Sequence, residues 1–297
     1  MAKKTKKQNK KVKSETLMPT PHNRQKKHIL TEGTPIPPLV DMGVFTQDGK
    51  VAAPMQHKYR QINRFLEMID DTLEDIQSLS VVDFGCGKSY LTFVLYYFLT
   101  EIKGIDTKMV GLDLKADVIA DCQTVAEKYG YHGLRFMHGD IGEFAAKQQI
   151  NADSSPLMII SLHACDTATD YALYHAIKMG AQMIFAAPCC QHELKSQIEA
   201  DNLSLLTRYG AVKERTAALM TDAIRTNLVA SQGYKTQLME FVDLAHTPKN
   251  LLIRAVKTKM PVKARHMYLQ EVEALCQTFN LKPLLGELLN WSKISTS

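Results

Sequence analysis

The chain has 297 residues, 23% of them charged, and its charge is unevenly distributed. Residues 1–28 contain ten Lys or Arg and one acid, Glu15, which gives this segment a net charge of about +9. The whole chain carries +5, so the remainder carries about −4, which excludes a folded body that is basic throughout. Because the first residues are almost free of apolar side chains, we expect a disordered basic tail over 1–28, which either binds RNA or DNA or only keeps the protein soluble.

The composition also indicates the cellular compartment and excludes some classes of protein. The tail lacks the apolar core of a secretory signal, so the six cysteines indicate free thiols in a reducing compartment, and we expect a cytoplasmic protein. No two C-x-x-C pairs occur, which argues against a zinc finger, and no metal site is predicted. The apolar run from Tyr90 to Leu99 has ten residues, whereas a membrane span needs about 20, so no membrane contact is expected.

The chain after the tail divides into a linker, one domain and a helical extension. Residues 29–56 contain four prolines, which predict an extended linker. From Lys58 to Asp71 the apolar residues recur at helical spacing, which predicts a helix ahead of the first strand. Strand-like and helix-like segments then alternate, so residues 57–260 are expected to form one α/β domain. Residues 261–297 predict a C-terminal extension, with helices from Ala264 to Phe279 and from Leu284 to Trp291.

The domain is organised around residues 81–89, which have the sequence V-V-D-F-G-C-G-K-S. Two branched apolar residues indicate the end of a buried strand, and two glycines indicate a tight turn close to a ligand. A phosphate-binding loop would need glycine where Val82 stands, and a dinucleotide fingerprint would need glycine where Tyr90 stands. The remaining pattern is D-x-G-x-G, which makes Asp83, Gly85 and Gly87 candidate cofactor-binding residues at the edge of a doubly wound sheet.

Two further acids follow later strands of the same predicted sheet. Asp113 ends the strand-like segment M-V-G-L-D-L, where a carboxylate can accept both hydroxyls of a ribose. Asp140 follows the next strand, and there it could accept from an adenine amino group while Ile141 packs on the ring. Each acid alone could instead cap a helix. Because three acids stand at three strand ends, the pattern favours a nucleotide-like cofactor.

The loops after the fourth and fifth predicted strands carry the candidate catalytic residues. Parallel strands end at one edge of the sheet, so these loops should lie beside the cofactor. A thiolate could attack a substrate base, a histidine or aspartate could act as general base, or the cysteines could bind zinc. Alternatively, the thiols are buried and inert. A predicted hairpin from Tyr234 to Lys257 brings further polar residues to this edge. The side chains in question are His163, Cys165, Asp166, Cys189, Cys190 and His192, and in the hairpin His246, Lys249 and Asn250.

Three motifs together resemble one subgroup of the class I S-adenosylmethionine (SAM) dependent methyltransferases. They are D-F-G-C-G-K-S-Y-L-T, L-H-A-C-D-T-A-T-D and P-C-C-Q-H, and the resemblance extends from about Lys58 to Lys257. The subgroup includes tRNA 2′-O-methyltransferases with a related H-x-C-G-x-A-T-D loop and a C-C-H-H loop. In this chain Asp166 stands where those enzymes have glycine, and their CHHC-type zinc modules are absent.

The resemblance implies a fold, a cofactor and an acceptor. The expected fold is a Rossmann-like α/β domain with a seven-stranded methyltransferase sheet, an N-terminal helix and a C-terminal helical appendage. The expected activity is methyl transfer from SAM, with RNA as the expected substrate class. The alternatives are a protein or small-molecule acceptor, or a SAM- or RNA-binding module without catalysis. The residues implied around SAM are Asp83, Gly85, Gly87, Asp113 and Asp140.

Overall fold

The structure is a computed structural model, and it describes residues 28–147, 155–162, 164–188, 190–198, 204–240 and 251–291. Several residues singled out from the sequence lie outside these ranges. They are the basic tail up to residue 27, His163, Cys189, and the hairpin residues His246, Lys249 and Asn250.

The described residues form seven strands, which follow one another through an alternation of strands and helices. The strands are β1 (Ser78–Phe84), β2 (Asp106–Asp113), β3 (Leu134–His138), β4 (Leu157–Ser161), β5 (Met183–Ala186), β6 (Tyr234–Glu240) and β7 (Leu251–Lys257). The first helices are α1 (Pro37–Asp41), α2 (Gln56–Asp70), α3 (Tyr90–Tyr97), α4 (Ala116–Lys128), α5 (Ile141–Lys147) and α6 (Thr167–Lys178). The later helices are α7 (Glu193–Gln197), α8 (Ser204–Thr207), α9 (Gly210–Ser231), α10 (Val262–Phe279) and α11 (Leu284–Leu288).

All seven strands belong to one sheet with the order β3-β2-β1-β4-β5-β7-β6. The central strand β1 pairs in parallel with β2 and β4, so that Val82 lies opposite Val110 and Ile159. Only β7 runs against its neighbours, pairing antiparallel with both β5 and β6. This arrangement confirms the predicted Rossmann-like, seven-stranded methyltransferase sheet, and it brings the carboxyl ends of β1 to β5 to one edge.

The core lies on both faces of the sheet because the central strands are buried on both sides. Successive residues of β1, Val81 and Val82, belong to two different apolar clusters, as the two-residue period of a strand requires. One cluster joins the sheet to α2, α3 and α4, and the other joins it to α6, α9, α10 and α11. The sheet is thus a middle layer between two helical layers.

The segment predicted as an extended linker is instead packed against the domain. Leu30, Leu39 and Phe45 are buried, and the short helix α1 lies in this segment. The backbone N–H of Leu30 donates to Asn63 Oδ1 at 2.8 Å, and the hydroxyl of Tyr59 donates to the carbonyl of Leu30. The prolines predicted an extended segment, but its apolar residues pack against α2. The burial of these residues determines the conformation of the segment.

The sequence analysis missed α9, the longest helix among the described residues, with 22 residues. Its buried side chains include Thr221, Asp222, Arg225 and Thr226, so the apolar periodicity that marks other helices is interrupted by polar residues. The two C-terminal helices lie where the sequence predicted them. None of the described helices combines the length and the apolar character needed to cross a bilayer.

Candidate functional site

A cavity of about 540 Å³ opens at the carboxyl edge of the sheet. This volume lies within the range of roughly 300–1,000 Å³ that small-molecule sites occupy. Five residues predicted as functional line it, and they come from the ends of four different strands: Gly85, Asp113, Asp140, Ile141 and Cys165. The structure therefore brings together four of the six candidate cofactor residues and one candidate catalytic residue, whereas Asp83 and Gly87 do not line this cavity.

The glycine turn after β1 folds over the end of β2. The backbone N–H groups of Gly85 and Cys86 donate to the carbonyl of Leu112 at 2.8 and 3.0 Å. Gly85 and Gly87 have φ angles of +71° and +53°, a conformation that costs glycine little and other residues more. The backbone N–H of Gly87 donates to Asp113 Oδ2 at 2.8 Å, so the turn and the second acid hold each other in place.

Asp113 has the position and the remaining acceptor capacity for a ribose. Its Oδ1 accepts the backbone N–H of Lys115 at 3.0 Å, and its Oδ2 accepts that of Gly87. An ionised carboxylate offers about four lone-pair sites, so two backbone donors leave capacity for two hydroxyls. Because Asp113 also lines the cavity, it suits the bidentate contact predicted for it.

Asp140 serves as the N-cap of α5 as well as part of the cavity wall. Its Oδ1 accepts the backbone N–H groups of Gly142 at 2.7 Å and Glu143 at 3.4 Å. Asp140 therefore caps a helix, as the sequence allowed, but the cap uses only Oδ1 of its carboxylate. The neighbouring apolar walls are Leu114, which is 68% exposed, and Ile141. Together they provide acceptor groups and apolar surface, as an adenine ring requires.

His175 and Tyr171 are cavity residues that the sequence analysis missed. Both belong to α6 and line the cavity, and the imidazole of His175 lies close to Gly142. Burial lowers the pKa of His175, and the nearby Asp140 acts in the opposite direction. Their spacing of four residues places them on one face of α6, but that signal is also typical of an ordinary core-facing helix.

Asp83 is placed differently from its prediction, because it is not among the residues that line the described cavity. It is 4% exposed, and its Oδ2 accepts the hydroxyl of Thr92 at 2.6 Å. Burial raises the pKa of Asp83 to about 7, and the charge of Asp113 adds to this rise. Asp83 is therefore a buried residue of β1 that links this strand to α3, whereas Asp113 lines the cavity.

Asp166 joins the two loops that were predicted to be catalytic. Its Oδ1 accepts the backbone N–H groups of His192 at 2.8 Å and Glu193 at 3.2 Å, which caps α7. Its own backbone has φ +50° and ψ −123°, a conformation that glycine adopts without strain, which suits the glycine of the related H-x-C-G loops. Its carboxylate is engaged in a structural contact, and its role as general base stays a prediction.

The second motif loop is only partly described. Cys190 is half-buried, and Gln191 is buried with its Nε2 donating to the carbonyl of Pro188 at 3.2 Å. Among the residues that the structure describes, no group of three His, Cys, Asp or Glu could hold a metal ion. His163 and Cys189 lie outside them, so their assignments, like those of Cys165 and Cys190, stay predictions.

Comparison with known proteins also supports a methyltransferase. Residues 57–197, just under half of the chain, match the model of a family described as a methyltransferase domain. No curated protein matches the sequence. Together with the strand order, the family match supports a SAM-dependent methyltransferase. The same match supports SAM as the cofactor, and the cavity beside the glycine turn has acidic and apolar residues in its lining.

Solved structures with a distant likeness to this chain include several methyltransferases. The bifunctional kinase-methyltransferase WbdD is 16% identical with a TM-score of 0.42, over 78% of this chain and 44% of that one. A putative SAM-dependent methyltransferase from Methanococcus maripaludis is 13% identical with a TM-score of 0.40, over 68% of this chain and 89% of that one. Geranyl diphosphate C-methyltransferase from Streptomyces coelicolor, in complex with S-adenosyl-L-homocysteine, is 10% identical with a TM-score of 0.41, over 69% and 83%. This chain spans less than half the length of WbdD, and likenesses this distant say nothing about the acceptor.

Proposed function

We propose that the protein transfers a methyl group from SAM to RNA. The observation that carries the transfer is the cavity, where the acids after β2 and β3 and the glycine turn after β1 line one space that Cys165 also lines. The bound cofactor supplies an electrophilic methyl group. In this arrangement Asp113 accepts from the ribose, Asp140 accepts from the adenine amino group, and Ile141 packs against the ring.

The role of the chain in the reaction is chiefly positioning. The acceptor atom forms its bond to the methyl carbon while the carbon–sulfur bond breaks, and the acceptor's proton passes to a base or to water. Holding both partners in line can supply about 7–11 kcal/mol of the barrier reduction. The loops after β4 and β5 frame the place where an acceptor must enter, since they follow the strands next to the cofactor half of the edge.

Two features of the chain support RNA as the acceptor. The tail over 1–28 carries about +9, enough to attract a polyanion. At the sheet edge, the ammonium of Lys58 lies 5.2 Å from the ring centroid of Tyr90, which is 45% exposed and follows the exposed Lys88 by two residues. Aromatic faces next to cations are typical of single-strand binding. The resemblance of the two later motifs to tRNA enzymes adds to this support.

The negative charge of the remaining chain, about −4, favours the alternative of a protein or small-molecule acceptor. The deciding experiment incubates the full-length protein with methyl-labelled SAM and separate RNA, protein and metabolite fractions from cells. Label in RNA, absent with an Asp113→Ala variant, supports the proposal. Label in another fraction contradicts RNA and supports the alternative. SAM binding without label in any fraction indicates a non-catalytic module.

Cys165 and Cys190 are the described candidates for a covalent mechanism. A thiolate that attacks a pyrimidine would leave a trapped adduct with 5-fluoropyrimidine RNA, and Cys→Ser at the attacking residue, but not at the other cysteine, would abolish the adduct. A cysteine that only shapes its turn would leave no adduct and a modest loss of turnover. Mass spectrometry of the incubated protein separates these two roles.

The tail is proposed to add non-specific RNA affinity and no chemistry. Deleting residues 1–28 should lower the slope of log affinity against log salt, because fewer counterions are released on binding. Methyl transfer at saturating substrate should persist. An unchanged slope would assign the tail to solubility alone.

A further inference from the structure

A buried arginine lies beside the loop after β4, which carries the H-A-C-D-T-A-T-D motif. This arginine belongs neither to that motif nor to the P-C-C-Q-H motif of the loop after β5. Arg225, in α9, is 1% exposed. Its Nε donates to Asp170 Oδ1 at 2.9 Å and its Nη2 to Asp170 Oδ2 at 2.5 Å, a bidentate pair with the last aspartate of the H-A-C-D-T-A-T-D motif. The same Nη2 donates to the backbone carbonyl of Asp166 at 2.8 Å. One guanidinium thus holds the turn that follows Cys165.

The second motif loop is attached to the same helix one turn earlier. Gln191 donates through Nε2 to both carboxylate oxygens of Asp222, at 3.3 and 3.1 Å. Asp222 Oδ1 lies 3.7 Å from Nη1 of Arg225. Gln191 and Asp222 are both buried, so these contacts are shielded from water. The helix α9 therefore anchors the loops after β4 and β5 through one connected set of buried groups.

The Asp166 turn requires such an anchor because its backbone is strained. A non-glycine residue at φ +50° and ψ −123° persists only when surrounding contacts hold it. Those contacts are the bond from Arg225 to its carbonyl and the bonds from α7 to its carboxylate. The residues just before this turn, Ala164 and Cys165, form part of the cofactor cavity wall. Loss of the anchor should therefore change the wall.

We propose that Arg225 is a positioning residue of the methyl-transfer site, which fixes the Asp166 turn so that Ala164 and Cys165 complete the cofactor cavity. The proposal rests on the proposed function for the nature of the ligand, SAM. Lysine cannot replace Arg225, because an ammonium has no planar fork to bind a carboxylate through two bonds while it also reaches a carbonyl.

The test compares SAM binding by calorimetry in the full-length protein and in an Arg225→Lys variant. We expect the variant to bind SAM about tenfold more weakly or worse, because the wall then adopts its binding conformation only part of the time. The matched control is Arg265→Lys. The Nε of Arg265 donates to the carbonyl of Ser231, the last residue of α9, at 2.7 Å. This control should lower the melting temperature without a change in SAM affinity.

Parent-like SAM affinity in folded Arg225→Lys protein would overturn the proposal, because the arginine would then only stabilise the fold, as Arg265 does. If this variant does not fold, Arg225→Gln combined with Asp170→Asn removes both charges together and avoids an unpaired buried carboxylate at Asp170. The same loss of affinity is expected there, and unchanged affinity again overturns the proposal. A parent protein that fails to bind SAM would instead contradict the proposed function.

Discussion

The carboxyl edge of the sheet has a cofactor half and an acceptor half, and they are held in different ways. In the cofactor half, Asp113 and Asp140 accept backbone N–H groups of their own loop or of the adjacent glycine turn. In the acceptor half, the motif residues contact helices far along the chain. Asp170 pairs with a residue 55 positions later, and Gln191 with one 31 positions later.

The polar residues of the motifs therefore have different roles in the two halves. A carboxylate bonded within its own loop shapes the loop and still faces the cavity, so its predicted ligand role and its structural role coincide. A carboxylate bonded to a distant helix is engaged within the protein, and neither Asp166 nor Asp170 is among the residues that line the cavity. Asp170 is such a residue, and Asp166 uses its carboxylate to cap α7.

The largest expected effect follows from breaking the acceptor half's ion pair. Arg225→Met leaves Asp170 and Asp222 buried without this cation, which should lower the free energy of unfolding by about 3–5 kcal/mol. Urea denaturation measures the loss. Asp113→Ala, in the cofactor half, is the matched comparison and should cost clearly less. Equal losses in the two variants would remove the distinction between the halves.

A smaller effect is expected from Asp83, a buried acid stabilised by a hydroxyl rather than a guanidinium. Burial raises its pKa to about 7 from 3.8. Between these values the folded protein keeps a proton that the unfolded chain has lost, so the free energy of unfolding falls as the pH rises from about 4 to about 7. Asp83→Asn should remove on the order of 2–4 kcal/mol of this decline.

The measurement is a series of urea unfolding curves between pH 4 and pH 8 for the parent and the Asp83→Asn variant. Asp106→Asn, at the exposed start of β2, is the control and should keep the parent's pH profile. If the Asp83→Asn profile also matches that of the parent, the acid titrates normally in the folded protein.

Next in size is the loss of a ligand contact in the cofactor half. Asp113→Ala should weaken SAM binding by about 1.5–3 kcal/mol, or roughly 10- to 150-fold, because charge-assisted hydrogen bonds to the ribose are lost. Calorimetry gives the dissociation constants. Asp106→Ala, at the other end of the same strand, should leave them unchanged. If the Asp113→Ala variant binds SAM as tightly as the parent, Asp113 does not contact the ribose.

The smallest effect is expected from Asp166→Gly. Glycine relieves the left-handed backbone and leaves the carbonyl that Arg225 binds, but it removes the cap of α7, so the net change in stability should stay within about 1 kcal/mol. Asp166→Ala keeps the strain and loses the cap, so it should be less stable than the glycine variant. If Asp166 is the general base, methyl transfer by the glycine variant will fall by about 100-fold or more.

The strands and the cofactor half could be predicted from the sequence because their determinants are local. Runs of branched apolar residues mark the strands, and the acids follow them directly, so strand order alone carries Asp113 and Asp140 to the cavity. The sequence could not separate Asp83 from them, since an acid two residues before the turn and an acid that lines the cavity follow the same local pattern. Burial distinguishes the two.

The anchors of the acceptor half could not be predicted because they depend on a helix whose pattern is atypical. Arg225 stands in the run A-I-R-T-N-L-V-A, where a lone cation among apolar residues is the available signal. Without a partner in view, that signal also fits an exposed side chain. The partner, Asp170, is known only once the fold brings α6 and α9 together.

The contacts of α7 with the C-terminal extension have a consequence for how the site is assembled during synthesis. The carboxylate of Glu193 accepts the backbone N–H of Leu284 at 2.7 Å, and Gln197 exchanges two hydrogen bonds with the backbone of Lys282. A ribosome must therefore add about 90 residues after the P-C-C-Q-H loop before the helix behind that loop gains its last support. The residues of the cofactor half are all made before this point, so the acceptor half is the later of the two to be completed.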